Sequence, residues 1–494
     1  MQRATKTLLL KIAVAIGTGC LLRFVVNLAP IWWLAWVAPV PLLVLAIRST
    51  QAESRWLITL AALIGTTANL SFLRLVVPLP VAIIIIIGQT LLWVFVVRAT
   101  RQIVTRYPCW WSALVYPVLW VAVDTLMAAL LPDGDWGNLA YTQADVLPVL
   151  QFASLLGVSG LLFLVTLVPA TLALAIVYGR ELRRGWIAYA GTAALLIAVV
   201  GFGVLRLHTP VDGKQVTVGL ASVDDAIGPR ASSQYSADIL QQYDRLVGSV
   251  AARGAQIVVL PEKMAILRPA QATLWRDHLG ALAAQYGIWL VAGIGVDDGT
   301  RPENWAWLFM PDGTLSAQYQ KHKLAPPERR ENYRSGTDYA VRSIDGEPFG
   351  LAICKDMHFA TLGRDYGRLD VSAMLVPAWD FDFLDKWLES RTTLTRGVEN
   401  GYAVVRVGRE SLLTVSDAYG RILAQRDSSP MPGSSLVVAM PLSRQVQTVY
   451  TRIGNSFGWL CVLASIVLLI SSRSRRLRHH PSGSGRRTPA HPRE

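Results

Sequence analysis

Gly350-Leu351-Ala352-Ile353-Cys354-Lys355-Asp356 reads as a short buried strand that ends on a thiol. Its small and apolar residues run without alternation, as in a strand covered on both faces. A Cys, a Lys and an Asp follow at once, and strand ends are where reactive side chains are commonly presented. Two other stretches have the same design: Ile257-Val258-Val259-Leu260-Pro261-Glu262 and Tyr319-Gln320-Lys321-His322-Lys323-Leu324. Together they offer an acid, a cation and a thiol. A thiol is a weak nucleophile while protonated, with a reference pKa of about 8.5. Attack on an acyl carbon needs a base for its proton and a cation or donor for the oxyanion. By composition alone Lys323 equals Lys321. The chain has no G-x-S-x-G nucleophile elbow.

Outward from these stretches, residues 206–451 carry further β-rich runs at Val216–Ala221, Trp289–Ala292, Trp307–Met310, Ala373–Val376, Ala403–Val407, Leu412–Val415 and Ser435–Ala439. Amphipathic stretches at 237–252, 271–286 and 383–399 lie between them. Pro311-Asp312-Gly313 and Ala418-Tyr419-Gly420 read as hairpin turns. Alternating β and α predicts a layered α/β domain over 206–451.

The rest of the chain is of another kind. Of 494 residues, 52% are hydrophobic and only 16% charged, which excludes a disordered chain and argues against an ordinary soluble enzyme. A membrane-spanning helix takes about 20 mostly apolar residues. Apolar runs of that kind lie near 8–28, 31–47, 56–73, 77–97, 109–131, 149–178 and 186–205, with another near 453–471. The expected organisation is a membrane domain over 1–205, the α/β domain over 206–451, a last transmembrane helix over 452–472 and a disordered basic tail over 473–494. Gly17-Thr18-Gly19-Cys20 faintly resembles a lipoprotein cleavage site, but six further apolar spans follow, so the first helix is expected to be retained.

The net charge of +13 first suggests nucleic acid, and its position argues otherwise. Residues 206–451 hold 26 basic and 27 acidic side chains, and the remainder 21 and 7. Of those 21, 18 fall on one set of flanks and three on the other. The asymmetry places both termini in the cytoplasm and the 206–451 domain across the membrane. Three of the four cysteines lie in or beside apolar spans, and none has disulfide or zinc-ligand spacing. That leaves Cys354 as the one Cys of the aqueous domain.

The separations of 59 residues from Glu262 to Lys321 and 33 from Lys321 to Cys354 resemble the Glu–Lys–Cys triad of the nitrilase, or carbon–nitrogen hydrolase, superfamily. Arg396-Gly397-Val398-Glu399-Asn400-Gly401-Tyr402-Ala403 resembles the segment that follows the Cys there. Trp33–Leu43 (WLAWVAPVPLL) and Trp136-Gly137-Asn138-Leu139-Ala140-Tyr141-Thr142-Gln143 resemble membrane-domain segments of its embedded branch, the apolipoprotein N-acyltransferase family. The resemblance spans nearly the whole chain except the basic tail. It implies a polytopic helical membrane domain, with about eight transmembrane helices, joined to a nitrilase-like αββα sandwich. It further implies a multi-pass protein of the bacterial inner membrane, with a phospholipid as acyl donor and a diacylglyceryl-cysteine lipoprotein as acceptor. The acyl chain would pass through a thioester on Cys354. By motif position Glu262 is the general base, Lys321 the oxyanion stabiliser and Cys354 the nucleophile. Lys355 would lend a backbone N–H, Asp356 matches an acidic position, and a further Glu is supplied by Glu328 or Glu331, with Glu328 preferred. No metal or organic cofactor is expected, and no nucleic acid.

The sequence departs from the pattern in places. Lys355 stands where an aromatic is common, and a second cation beside Cys354 is expected to favour the thiolate. Gly134-Asp135-Trp136 stands where Phe-Pro-Trp is expected, and Asp124 where Glu is. His358 is expected to pack or line the pocket. Trp379 and Trp387 either line an acyl tunnel or simply pack. Trp32, Trp33, Trp36, Trp110 and Trp111 are expected as interfacial anchors. The same triad would equally serve a membrane-tethered amidase with water in place of the amine. A non-catalytic binding module is disfavoured by the intact set of three.

Overall fold

The computed structural model describes residues 2–209, 214–228, 230–442 and 446–474. Apart from its first two residues, the basic tail expected over 473–494 lies outside them.

All eight apolar runs form helices. Among the described residues six are long and apolar enough to cross a membrane: Thr5–Arg23, Gln51–Val76, Leu79–Arg106, Trp110–Leu130, Ala153–Glu181 and Gly185–Leu207. Two apolar helices, Trp32–Arg48 and Ser456–Ser472, are shorter. The count of about eight spans therefore resolves into six full-length helices and two short ones. Local chemistry sets several ends. Thr50 Oγ1 accepts from the Glu53 N–H while Glu53 Oε2 accepts from the Thr50 N–H, starting one helix on a reciprocal cap. Gly157, at φ +66°, interrupts the helix that runs to Tyr178, a conformation side chains resist. The helices turn apolar side chains outward: Ile84 is 67% exposed, Ile197 74% and Leu463 63%. Such faces suit hydrocarbon as solvent rather than water. Trp32 and Trp33 are exposed, as interfacial anchors would be, whereas Trp36 donates its indole N–H to Gln143 Oε1 at 3.0 Å.

The α/β domain holds thirteen strands among the described residues: β1 Lys214–Ser222, β2 Ile257–Val259, β3 Ala265–Leu267, β4 Trp289–Val296, β5 Glu303–Phe309, β6 Leu315–Gln320, β7 Ala340–Ile344, β8 Glu347–Leu351, β9 Ala373–Trp379, β10 Ala403–Arg409, β11 Leu412–Ser416, β12 Ile422–Asp427 and β13 Ser434–Leu442. One sheet runs β13-β1-β2-β4-β5-β6, with β3 on β4, and the other β12-β11-β10-β9-β8-β7. Residues alternate between faces because strand side chains do. Val216, Val218, Leu220, Leu351, Leu375, Val405 and Val407 fill the space between the sheets. The outer face of the first sheet meets helices Ser233–Ala252 and Pro269–Tyr286 through Tyr243, Val247, Leu279 and Leu290. The outer face of the second meets Leu362 and Tyr366 of helix Ala360–Arg368 through Met374 and Val376. This is the αββα sandwich. Both hairpins expected from turn residues are present, β5–β6 and β11–β12.

Helix Lys386–Asn400 is buried at every position from Leu388 to Asn400, because the sandwich covers one side and the membrane helices the other. The connection after Leu130 docks on it. Asp135 and Glu399 hold the Arg396 guanidinium, Asp135 at 2.7 Å, and the Tyr141 hydroxyl joins them. The Val158 N–H, left free by the break at Gly157, donates to Glu399 Oε1 at 2.8 Å. Asp145 accepts from Arg391 at 2.6 Å and from the Trp387 indole at 3.0 Å. Gly134 is required where it stands: at φ +63°, an added Cβ would sit 2.5 Å from the His358 carbonyl oxygen.

Arg396 is fully buried, so removing it strands two buried carboxylates. Arg396→Met is expected to destabilise the protein by about 3–5 kcal/mol, seen as a lower midpoint of thermal unfolding in detergent. Arg396→Lys should recover only part of that, because an ammonium cannot make the paired guanidinium contacts.

Candidate active site

Three strand ends converge at one edge of the sandwich. Glu262 follows β2 after Leu260-Pro261, and its N–H donates to the Ala378 carbonyl at 3.2 Å across the sheets. β4 allows this turn to approach only because position 293 is Gly: a Cβ there would lie 2.3 Å from the Pro261 oxygen. Lys321 follows β6 directly, its N–H bonded to the Asn304 carbonyl at 2.9 Å. Cys354 follows β8 and opens a 3-10 turn, Cys354–His358, at φ +45°. A non-glycine residue held at positive φ is strained backbone, a feature that clusters at functional positions.

Asp356 ties two of these ends together. Its Oδ2 accepts from the Ile353 N–H at 3.0 Å and the Tyr319 hydroxyl at 2.8 Å. Its Oδ1 accepts from the His322 and Lys323 N–H groups at 3.1 and 2.7 Å. Asp356 thus clamps the turn carrying Cys354 to the segment carrying Lys321, and its burial pushes its carboxyl above the usual range. Lys323 turns away, its ammonium 4.7 Å from the centre of the Phe359 ring.

The Lys321 ammonium is 2.8 Å from Glu262 Oε1 and 2.9 Å from Glu328 Oε2. Burial opposes charge on Lys321, but the two carboxylates more than offset it and hold its pKa well above the usual value. Glu328 is the third residue of helix Pro326–Arg330, where Pro326 and Pro327 pre-set the first turn. Its second neighbour is Lys263, 2.8 Å from Glu328 Oε1. Burial would raise Glu328, yet Lys321 and Lys263 hold it far below the usual carboxylate range. Asn304 donates to Glu262 at 2.6 Å and to Glu328 at 2.7 Å, cross-bracing the pair. Glu262 Oε2 is buried and has no hydrogen-bond partner among the described residues, which leaves it open to take a proton. Glu331, the competing glutamate, is exposed at the end of the helix.

Cys354 is 8% exposed. Its thiol lies 3.5 Å from the Trp379 carbonyl oxygen. Burial pushes the thiol pKa well up and the Glu262 charge adds to it, with Lys321 pulling the other way. The expectation that Lys355 favours the thiolate is not met. The Lys355 ammonium is paired with Asp133 of the membrane-domain loop, which also meets Arg329 at 3.2 Å. As the second residue of the 3-10 turn, Lys355 has an N–H with no partner within that turn, suited to an oxyanion.

Sequence reasoning missed several neighbours. Lys263 is adjacent to Glu262 in sequence, and its φ of +46° was invisible there. Carboxylate oxygens of Asp380 and Glu389 and the Cys354 sulfur lie within 4.8 Å of one another. Arg406 and Ser411 engage Asp380. Glu389 accepts from the Trp136 indole at 3.0 Å and meets His358 Nε2 at 2.6 Å, so His358 is a partner rather than mere packing. Trp379 walls the site between Arg409 and Lys263, 3.8 and 5.2 Å from its ring. Trp387 instead bonds Asp145 at the domain junction. Asp124 lies half-buried on the membrane helix, within electrostatic reach of Asp135 and Arg396 rather than of Cys354.

Comparison with known proteins finds two family models along the chain. Residues 18–171 match the apolipoprotein N-acyltransferase N-terminal domain, and residues 226–437 match carbon-nitrogen hydrolase. An apolipoprotein N-acyltransferase of Geobacter metallireducens is 25% identical over 397 residues, 74% of this chain and 75% of that one. One of Nitrosomonas europaea is 25% identical over 401 residues, 74% and 77%. An omega-amidase of Xenopus laevis is 29% identical over 166 residues, covering 29% of this chain and 59% of the amidase.

Because the Glu262 carboxylate raises the Cys354 thiol, Glu262→Gln should lower that pKa. The pH profile of Cys354 alkylation by iodoacetamide is then expected to move to lower pH than in the wild type. An unmoved or raised midpoint would show that the two groups do not interact.

Proposed function

The chain belongs to the apolipoprotein N-acyltransferase family, and on that premise we propose that it moves an acyl chain from a membrane phospholipid, through a thioester on Cys354, to the N-terminal amine of diacylglyceryl-cysteine lipoproteins. It is a bacterial membrane protein. In this reading it sits in the inner membrane, with the sandwich outside the cytoplasm and both termini inside, in keeping with the basic flanks.

One observation carries the proposal: the membrane domain supplies contacts to the thiol's own surroundings. Asp133 holds Lys355, the residue after the nucleophile, and Trp136 bonds Glu389 within 4.8 Å of the sulfur. A soluble amidase site has no need of a membrane loop in its wall. An acyl donor held in a bilayer needs a nucleophile fastened at the membrane surface. With Cys354 8% exposed, a chain reaching its thiol has to displace part of that wall.

The chemistry follows from the geometry. Glu262 takes the Cys354 proton on its free oxygen as sulfur attacks the ester carbonyl. Lys321 and the Lys355 N–H meet the oxyanion, where fixed charge in a dry site is worth most. The C–O bond breaks and the lysophospholipid oxygen leaves with the proton from Glu262. The amine then attacks the thioester, the C–S bond breaks and the sulfur is released. Glu328, Asn304 and Lys263 hold Lys321 and Glu262 in place, and Asp356 holds the turn. The triad needs no metal or organic cofactor for these steps.

In a strain depleted of its own N-acyltransferase, the wild-type chain is expected to restore growth and Cys354→Ser to fail at equal expression. Acyl-labelled phospholipid should label wild-type Cys354 with a hydroxylamine-labile bond. Failure to complement, with labelling intact, would point to another acceptor; an active Cys354→Ser would remove Cys354 as nucleophile.

A further inference from the structure

Amide formation from an amine carries a proton problem that hydrolysis does not. A free α-amine has a pKa of about 7.7–8.0, so at neutral pH the acceptor arrives mostly as an ammonium. Turning R–NH3+ into R–NH–C(=O)R′ sheds two protons. One returns to the departing Cys354 sulfur, and Glu262 can carry it. The other must leave before attack, since an ammonium has no lone pair, and it needs a second acceptor.

We propose that Glu389, held by His358, is that acceptor: it receives the incoming ammonium beside the thioester and takes its first proton. The proposal rests on the acyl-transfer reading above.

The geometry singles out Glu389. It comes from helix Lys386–Asn400, not from the strand end that bears Glu262, and so is an independent group. Its carboxylate lies within 4.8 Å of the Cys354 sulfur, a distance an amine nitrogen attacking the adjoining carbonyl can share. Asp380, the other carboxylate there, is neutralised by Arg406 and bonded to Ser411. Glu389 instead faces a neutral indole at 3.0 Å and an imidazole at 2.6 Å. The buried His358 Nδ1 has no hydrogen-bond partner among the described residues. The imidazole Nε2–H and the indole N–H donate to the two carboxylate oxygens, and His358 holds Glu389 below the usual carboxylate range against its burial, so an ionised, fixed carboxylate meets the ammonium and accepts its proton on oxygen. Around the pair stand Asp380, Asp385, Arg406 and the Cys354 thiol. The C–N bond then forms, Glu262 takes the second proton, the C–S bond breaks and that proton returns to sulfur.

The test separates the two half-reactions in purified full-length protein. Acyl-labelled phosphatidylethanolamine loads Cys354 without acceptor, and a synthetic diacylglyceryl-cysteine peptide then chases the label. For Glu389→Gln, loading should fall by less than about threefold while the chase at pH 7 slows about 100-fold. The chase should recover by about tenfold per pH unit toward the amine pKa. It should also recover at pH 7 when the peptide carries an N-terminal aminooxy group, which is neutral there. His358→Gln should slow the chase with the same pH dependence. Equal loss of loading and chase, an unaffected chase, or no recovery with the aminooxy peptide would overturn the role of Glu389. A wild type that takes no label on Cys354 would overturn the acyl-transfer reading itself, and with it this one.

Discussion

A lysine ammonium buried between two carboxylates is the constraint around which the catalytic domain is organised. Burying one such ion costs several kcal/mol unless partners replace its water. Lys321 finds them in Glu262 and Glu328, and Glu328 draws in Lys263 as a second cation. Two positive and two negative groups thus share one dry space, with Asn304 bonded to both acids. Glu262 and Lys263 adjoin, and Lys321 and Glu328 are seven positions apart, but these two pairs and Asn304 lie well apart along the chain. The cluster is stable only if the ends of β2 and β6 meet the helix bearing Glu328, so the sandwich and the charge cluster require each other. Gly293 lets the Glu262 turn approach, and the Asp356 clamp adds the end of β8 with its strained Cys354.

The junction with the membrane domain uses the same chemistry. Three nearby positions of one loop each meet a charged group beside the site: Asp133 meets Lys355, Asp135 meets Arg396, and Trp136 meets Glu389. Helix Lys386–Asn400 lies between sheet and membrane helices, and its polar residues are buried in company rather than in water. The sequence departures find a reason here. Lys355 is paired across the domains, and Gly134-Asp135 lets the backbone close on the His358 carbonyl while presenting a carboxylate to Arg396. The active-site wall and the domain interface are one structure, which makes the thiol's accessibility a property of the whole molecule.

Much of this was legible beforehand. Nine β-rich runs, three amphipathic helices and eight apolar runs all became the elements their periodicity indicates, because strand and helix patterning is local. The strands that escaped notice, β3 and β7, are short or carry exposed polar residues, so hydrophobic pattern marks them weakly. Within the site, order and spacing pointed to Glu262, Lys321 and Cys354, and the structure brings Lys321 against Glu262. Lys355 was misjudged because adjacency in sequence does not say where a long side chain goes; its ammonium lies with Asp133.

The sequence by itself determined that there are two kinds of domain, which segments seek hydrocarbon, and which three strand ends bear an acid, a cation and a thiol. Those properties reside in short windows, where burial periodicity and residue chemistry suffice. Tertiary structure alone decided that Glu328 rather than Glu331 faces Lys321, that His358 and Glu389 form a pair, and that the membrane loop completes the wall around Cys354. The last two join residues distant in the chain and the first residues seven positions apart, and a charge in a dry interior takes whichever partner the packing brings within about 3 Å.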